Sequence, residues 1–489
     1  MGMEMEIKVR NKRWGKDVFL NERKKVLSMW PTGKEVDLDE AIEYQRNLSE
    51  NRNFGKVVEK LDREGRTVVY TRAGTPILED EIELNRALVA SGLPLIPVTT
   101  DSYTRLCQFD KAERGLQDSI RAGRPMLNGF PIVNHGVWKT RKMTESCEAA
   151  YNPRFANADG RLIAEIAFAA GMTGVLADPF LTFGNYEKTT TLAQCIASYQ
   201  YIHRLIGHYA ENGALITVDL DSWLSHGPFP SSVSIASLVA AALIAAEQGV
   251  KSIVPSFQFE GNLLQDIACA RLTRRLVNEY LDNSGYQDVV VPGLFVAQSP
   301  IFPSPQDLSY SFSYLAYTAL VAALAEAATV TVKTIDEAAG IPTKDTHTVS
   351  YRAANWMLSV VRRQGIKLQD EQLALEEKIT EMEVRTILHK VMELGNGDIV
   401  VGFIKAVDMG VVDSPLSSNV NVKSRVLGIR DNHGAVRYLD FGNLPIPDEA
   451  KEYHRTKVGE REEMEGRKMD YSVFIADFWA LSKGAILGA

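Results

Sequence analysis

Cysteine and long apolar runs are both scarce in this sequence. The 489 residues contain four cysteines, none in pairs with metal-like or redox-like spacing, which argues against a disulfide scaffold and favours a reducing cytoplasm. The longest apolar stretch, residues 233–250, is interrupted by serine and ends in a segment containing Glu247. It predicts a buried helix and not a membrane span. The charged N-terminus lacks the apolar segment of a signal peptide, so no membrane association is expected.

Positive charge is not concentrated anywhere along the chain. The net charge is −8 and no basic stripe is present, so we expect no nucleic-acid partner. The eight histidines are dispersed and predict no metal site. The sequence also lacks a phosphate-binding loop, a nucleophile elbow and a dinucleotide-binding glycine pattern. What remains is an ordinary globular composition, 45% hydrophobic and 24% charged.

Short β-rich runs alternate with helical stretches between Thr67 and Thr334. This alternation predicts an α/β fold, a TIM (β/α)8 barrel, with a doubly wound sheet as the alternative. Nine candidates are present where a barrel needs eight, so at least one is wrong or peripheral. The nine candidate strands are residues 67–71, 95–99, 125–129, 147–152, 173–178, 214–220, 252–257, 289–296 and 329–334.

The pattern differs on both sides of this block. Residues 1–60 predict an N-terminal helical arm, with Asp37 or Asp39 capping a helix. Residues 61–350 form the predicted barrel. Residues 351–489 predict a C-terminal α+β domain with two helices, β-like runs at DIVVGFIKAV, SRVLGIRD and VRYLDFGN, and a last helix near residues 471–482. We therefore expect three parts, with the chemistry in the barrel.

Three arginines follow predicted strands. Arg72 ends the first, Arg105 lies in the loop after the second, and Arg154 follows the fourth. A guanidinium is a planar fork of donors that suits carboxylates and phosphates. The three together predict a pocket for a small anion, although each alone could cap a helix or form a surface pair.

In TIM barrels the functional side chains lie at the carboxyl ends of the strands, and this rule nominates further polar residues. It selects Asn128, Asp178, Asp219, Lys333 and Glu337. If the loop holding Lys333 and Glu337 begins a helix, the two share a face and could hold a hydroxylated ligand such as a ribose. An ordinary salt bridge is the alternative.

Long motifs along the chain, including the segments that hold these residues, resemble those of one family. This family is the large (epsilon) subunit of coenzyme B12-dependent glutamate mutases, or methylaspartate mutases. The resemblance covers nearly the whole chain. The motifs are VLSMWPTGKEVDL, TRAG, TTDSYTR, LNGFPIVNHG, ADGRLIAEI, ALIAAEQGVKSI, VKTIDEAAGIPTK, LGNGDIVVGFIKAVDMGVVDSP and IRDNHGAVRYLDFGN.

The resemblance implies an isomerase, a radical carbon-skeleton mutase that converts L-glutamate to threo-3-methylaspartate with adenosylcobalamin. It implies a cofactor shared with a small cobalamin-binding subunit, and a homodimer of large subunits at the core of a heterotetramer. In the family the small subunit carries an Asp-x-His-x-x-Gly pattern. The segment DTHTVS, residues 345–350, is one residue short of it, and we interpret it as coincidental.

Residue by residue, the resemblance assigns substrate-binding roles to Arg72, Arg105, Arg154 and Tyr186. It assigns adenosylcobalamin contacts to the following positions: Gly74, Asn128, Lys333, Glu337 and Ile341. These residue types match the family.

Four positions depart from the family pattern. The carboxylate that holds the substrate ammonium falls on Leu176, a substrate-binding tyrosine on Thr182, a histidine on Phe155, and a proline near the cofactor on Asn185. No catalytic residue is therefore assigned, with Asp178 as a candidate substitute for the carboxylate. A site of this kind is expected to favour a dicarboxylate whose amine is missing, modified or placed elsewhere.

Two other functions stay open at this point. The first is a cobalamin-independent barrel lyase that binds a small dicarboxylate, against which Asn128, Lys333 and Glu337 argue. The second is a non-catalytic paralogue, which the residues at positions 155, 176 and 182 permit.

Overall fold

A barrel of parallel strands dominates the computed structural model, which describes residues 8–71, 73–223, 227–298, 303–338 and 344–488. Among these residues, six strands pair side by side in the order β1-β8-β7-β6-β5-β4, and β2 pairs with β3. The strands of the barrel are β1 Val68–Thr71, β2 Leu95–Thr99, β3 Ala150–Arg154, β4 Gly174–Leu176, β5 Thr217–Leu220, β6 Ile253–Gln258, β7 Phe295–Ala297 and β8 Thr329–Val332.

Backbone hydrogen bonds bridge the two seams between these sheets. Thr99 N donates to Ala73 O at 2.7 Å between β1 and β2, and Thr173 N donates to Tyr151 O at 3.2 Å between β3 and β4. The eight strands thus close into the predicted TIM barrel.

Helices surround the barrel and extend beyond both of its ends. The N-terminal helices are α1 Lys16–Leu27, α2 Leu38–Arg46 and α3 Phe54–Arg63. Those between and after the strands are α4 Leu78–Ala90, α5 Ser102–Arg105, α6 Phe109–Ala122, α7 Ile132–Thr144, α8 Arg161–Ala169, α9 Pro179–Leu181, α10 Leu192–Glu211, α11 Ser232–Glu247, α12 Leu263–Asn283, α13 Leu308–Leu324 and α14 Lys344–Arg363. The C-terminal elements are α15 Glu371–Leu394, α16 Ile399–Met409, the antiparallel strands β9 Leu427–Arg430 and β10 Val436–Asp440, α17 Asp448–Glu465 and α18 Tyr471–Ala480.

Eight of the nine candidate strands are confirmed, and the candidate at residues 125–129 is wrong. That segment is a loop between α6 and α7. Pro125 has no N–H to offer a ladder, and the N–H of Met126 donates to Ser119 Oγ at 2.9 Å. The loop instead crosses the carboxyl end of β2, where Phe130 N donates to Thr99 O at 2.8 Å.

Helix α3 closes the amino end of the barrel. Asn53 caps it by accepting a hydrogen bond from Lys56 N at 3.1 Å. Phe54 is fully buried and its ring lies 5.9 Å from Phe295 and 6.4 Å from Tyr70, measured between ring centroids. These aromatic side chains fill the barrel interior at that end, so the space left for a ligand is at the carboxyl end.

The long apolar segment is confirmed as the buried helix α11, whose alanines and aliphatic residues face other helices. None of the helices in the described part of the chain is long and apolar enough to cross a membrane. The capping prediction is also confirmed, because Asp37 Oδ1 accepts from Asp39 N at 3.0 Å and from Glu40 N at 3.1 Å.

The C-terminal region holds one correction. The β-like run DIVVGFIKAV is the helix α16, where Asp398 Oδ1 accepts from Val400 N and Val401 N and starts a helix in spite of the β-branched residues. The β9 and β10 runs and the last helix are confirmed. The boundary predicted at residue 350 falls inside α14, and the three-part division stays a prediction.

Candidate functional site

A cavity of about 530 Å³ lies at the carboxyl end of the barrel. Its wall comes from the segments that follow β1, β2, β3, β4, β5 and β8, where barrel enzymes place their working residues. The cavity brings together most of the residues that the sequence nominated. Those in its wall are Gly74, Arg105, Asn128, Arg154, Phe155, Leu176, Tyr186 and Glu337.

Other nominated residues lie away from this wall. Thr182 is buried, with its hydroxyl 2.6 Å from Tyr199 OH, so it belongs to the packing beneath the cavity. Neither Asn185 nor Lys333 is among the lining residues. Arg72 and Ile341 lie outside the described residues, and their assignments stay predictions.

Arg154 ends β3 and is buried against two aspartates of β5 and its following loop. Its Nη1 donates to Asp219 Oδ2 at 2.6 Å and its Nη2 donates to Asp221 Oδ2 at 2.7 Å. Asn152 Nδ2 adds a bond to Asp219 Oδ2 at 3.3 Å. Burial raises the pKa of Asp219, while the charge of Arg154 opposes that rise. The predicted carboxylate clamp at Arg154 stays a prediction, since both Nη groups already have anionic partners within the protein.

Arg105 occupies the last position of the short helix α5. Asp101 caps this helix through Oδ1, which accepts from Tyr103 N at 3.0 Å and Thr104 N at 3.1 Å. Burial raises the pKa of Asp101, and the nearby charge of Arg105 acts to lower it. The cap fixes the backbone that carries the half-buried Arg105 into the cavity wall.

The loops after β1 and β2 pack closely beside Arg105. A Cβ at Gly74 would lie 2.6 Å from Thr99 O, so only glycine fits there. Asn128 Oδ1 accepts from Ser102 N at 3.0 Å, which ties the mispredicted loop to the start of α5. The Nδ2 group of Asn128 is left as the donor that can face a ligand.

The wall near the ends of β3 and β4 is apolar. Leu176 packs with Ala156 and Leu181, and Phe155 is 2% exposed. Leu176 ends β4, which is the fifth candidate strand of the sequence but the fourth strand of the barrel. The structure therefore places a hydrophobic surface where the family resemblance led us to look for polar groups.

Asp178 has a structural role in this arrangement. Its Oδ1 accepts from Phe180 N at 2.8 Å and Leu181 N at 3.0 Å, and its Oδ2 accepts from Ser222 N at 2.9 Å. Burial raises the pKa of Asp178 to about 6. The carboxylate is not among the cavity-lining groups, so it could replace the missing acceptor only if these three backbone bonds broke.

The described part of the loop after β8, residues 333–338, contains a turn and no helix, so the predicted helical face shared by Lys333 and Glu337 does not form there. Lys333 N donates to Gln298 Oε1 at 2.9 Å, and Lys333 Nζ donates to Ser304 Oγ at 3.2 Å. Glu337 N donates to Thr334 O at 3.1 Å. Lys333 is thereby buried at the junction of two loops, while the Glu337 side chain reaches the cavity.

Sequence reasoning missed two titratable residues of the cavity wall, Asp221 and His347. Asp221 lies two residues after Asp219 and directly after β5, at the carboxyl end of a barrel strand. That position could have identified it. His347 is buried at the start of α14, and burial lowers its pKa. Its segment was noticed only as an incomplete cobalamin pattern.

Comparison with known proteins agrees with the motifs. Residues 48–489 match the family model of the methylaspartate mutase E chain. The glutamate mutase epsilon subunit of Desulfitobacterium hafniense is 37% identical over 98% of both chains. That of Yersinia enterocolitica is 37% identical, covering 99% of this chain and 100% of the relative. That of Treponema denticola is 36% identical over 98% of both chains. The family resemblance is thus confirmed, and this chain belongs to the methylaspartate mutase E chain family.

Proposed function

We propose that this chain is the large subunit of an adenosylcobalamin-dependent mutase that rearranges the carbon skeleton of a small dicarboxylate related to glutamate. The family name supports an isomerase of the glutamate mutase type. The observation that carries the proposal is the single cavity that gathers Arg105, Tyr186, Asn128 and Glu337 at the carboxyl end of the barrel.

The polar groups at the cavity fit the nucleoside part of such a cofactor. No described residue donates a hydrogen bond to the Glu337 carboxylate, which can accept from ribose hydroxyls. Asn128 offers an amide donor, and Gly74 adds no side chain to the cavity wall beside it. Gly74, Asn128, Lys333 and Glu337 would hold the adenosyl group. When bound, adenosylcobalamin supplies a carbon-centred radical through cleavage of its cobalt–carbon bond.

The residues of this chain would bind and shield the substrate. The Arg105 fork suits a substrate carboxylate and fixes it in a plane. Tyr186, half-exposed at the end of the π-helical turn Thr182–Tyr186, offers a hydroxyl donor at the rim. Phe155 and Leu176 present an apolar wall that excludes water from a reactive intermediate.

The relatives are named as subunits, which supports a partner chain for this protein as well. We propose a small cobalamin-binding subunit as that partner, with two large subunits at the core of a heterotetramer. All four cysteines are free thiols, which fits a reducing cytoplasm.

Reconstitution tests the proposed function. The chain would be mixed with the small subunit of the Desulfitobacterium hafniense enzyme, adenosylcobalamin and a panel of dicarboxylates. Products would be followed by NMR and the cofactor radical by electron paramagnetic resonance. We expect a substrate-dependent radical signal and one rearranged product. Stable association with neither signal nor product across the panel would favour the non-catalytic alternative, and product without cofactor would favour the lyase.

A further inference from the structure

A buried cluster of charged side chains reaches the cavity wall, and its described members carry more negative than positive charge. Arg154, Asp219 and Asp221 are 8%, 0% and 4% exposed. One guanidinium pairs with two carboxylates, at 2.6 and 2.7 Å. Among the described residues no second cation pairs with either aspartate. Fully ionised, these three described side chains sum to one negative charge, and burying a charge without a partner is costly.

The two aspartates differ in what can neutralise them. Asp219 is not among the cavity-lining residues, and its Oδ1 is buried without a hydrogen-bond partner in the described part of the chain. Because burial raises its pKa, Asp219 can take up a proton. Asp221 lines the cavity, and no described residue donates to its Oδ1. A ligand can therefore reach that oxygen, and a ligand cation would complete the charge balance.

The position of Asp221 is fixed by its neighbours. Arg154 holds its Oδ2, and the next residue, Ser222, has a φ of 70° and donates its N–H to Asp178 Oδ2 at 2.9 Å. The buried Asp178 thus shapes the loop that presents Asp221. Beyond Arg154, the residues that the ends of β3 and β4 contribute to the cavity wall are the apolar Phe155, Ala156 and Leu176.

We propose that Asp221 binds the ammonium group of an amino dicarboxylate substrate, at the end of β5 and not at the end of β4. Arg105 holds a carboxylate of the same molecule, and Arg154 is a positioning residue for Asp221. In this proposal the cavity has an anion-binding region at Arg105 and a cation-binding region at Asp221. This inference rests on the proposed function for the class of substrate.

Binding to the full chain without cofactor or partner tests the inference separately from turnover. Isothermal titration calorimetry would compare glutarate, L-2-hydroxyglutarate, L-glutamate, D-glutamate and 3-aminoglutarate. The hydroxy acid is matched in size but lacks the charge. We expect at least one ammonium-bearing acid to bind about ten- to a hundredfold more tightly than glutarate and the hydroxy acid, as a charge-assisted hydrogen bond allows.

Two variants complete the test. In Asp221→Asn we expect the advantage of the ammonium-bearing acid to vanish, because its charged contact with Asp221 is lost. The affinity for glutarate, which has no ammonium, should stay within about threefold of the wild-type value. The matched control, Asp219→Asn, keeps Asp221 and should retain the preference. Circular dichroism would verify folding. The inference is overturned if wild type binds glutarate as tightly as every amino acid tested, or if the preference survives in a folded Asp221→Asn. Failure of turnover with the preference intact would count against the proposed function alone.

Discussion

At the scale of single residues, Arg105 offers the clearest test of substrate binding. Arg105→Lys should weaken binding of the dicarboxylate about ten- to a hundredfold, nearly as much as Arg105→Met, because a point charge cannot reproduce the planar fork. The measurement is the dissociation constant of the dicarboxylate that the wild type prefers. Arg124→Lys, on the exposed surface, is the control and should change nothing. A lysine variant with wild-type affinity would contradict the assignment.

The buried His203 predicts a loss of stability in acid. Its Nε2 lies 2.9 Å from Ala177 O, and burial lowers its pKa to about 4 from an ordinary 6.5. As pH falls below 6.5 the unfolded state takes up the proton first, so stability declines until about pH 4, where the native state is protonated too. At pH 5 this one group lowers the free energy of unfolding by about 2 kcal/mol.

Urea unfolding of His203→Gln at pH 7.5 and pH 5 checks this sign. Glutamine keeps a donor for Ala177 O but does not titrate, so the variant should gain about 2 kcal/mol relative to wild type on going to pH 5. The exposed His433 supplies the control, His433→Gln, which should follow wild type at both pH values. A pH-independent difference between His203→Gln and wild type would show that the prediction is wrong.

What the sequence could reveal at this scale follows from local chemistry. Asp37 was identifiable as a cap because capping depends on neighbours two and three residues away. The pairing of Arg154 with Asp219 and Asp221 spans more than 60 residues of chain and depends on the barrel bringing the carboxyl ends of β3 and β5 together across β4. Its place directly after β5 could have nominated Asp221, but no local pattern indicates that Asp221 would compete with a substrate for the Arg154 guanidinium.

At the scale of elements, α3 is predicted to act as a structural plug. Phe54→Ala should lower the free energy of unfolding by about 3–5 kcal/mol, because the ring is fully buried between Tyr70 and Phe295. Urea unfolding is the measurement. Val18→Ala on α1 is the control, since Val18 is 62% exposed and should cost little. A loss below about 1 kcal/mol would mean that the aromatic packing contributes little to stability.

The element predictions succeeded where composition and period agreed. The eight barrel strands are short and mostly buried, with the β-branched and apolar residues that a parallel sheet covered on both faces accommodates. The α16 segment has the same apolar, β-branched composition, yet Asp398 caps it and the surrounding helices bury it. Residues 125–129 looked like a strand, but Pro125 and the side-chain bond to Met126 N remove the donors that a strand needs. Composition could not separate these cases, because tertiary contacts decide them.

At the scale of the whole molecule, the isolated chain is predicted to bind adenosylcobalamin weakly. Residues 345–350 lie in α14 and so lack the loop context of a cobalamin carrier. Adding the small subunit should tighten binding about 5- to 150-fold, the usual range for coupled binding. Equilibrium dialysis with and without that subunit measures the change. A protein of similar size that does not bind cobalamin replaces the small subunit in the control. Tight binding of adenosylcobalamin by the large chain alone would contradict the proposal of a shared cofactor.

The closure of the barrel by α3 has a kinetic consequence. With Phe54 filling the amino end, the described residues leave the carboxyl end as the route by which a ligand enters and leaves. A partner subunit that covers this end would stand in the path of both substrate and product. Under the proposed function, protection of the radical requires a tight contact between the subunits, whereas release of product requires that contact to open. Turnover should therefore be greatest at an intermediate strength of subunit association and fall when the two chains are fused too tightly to separate.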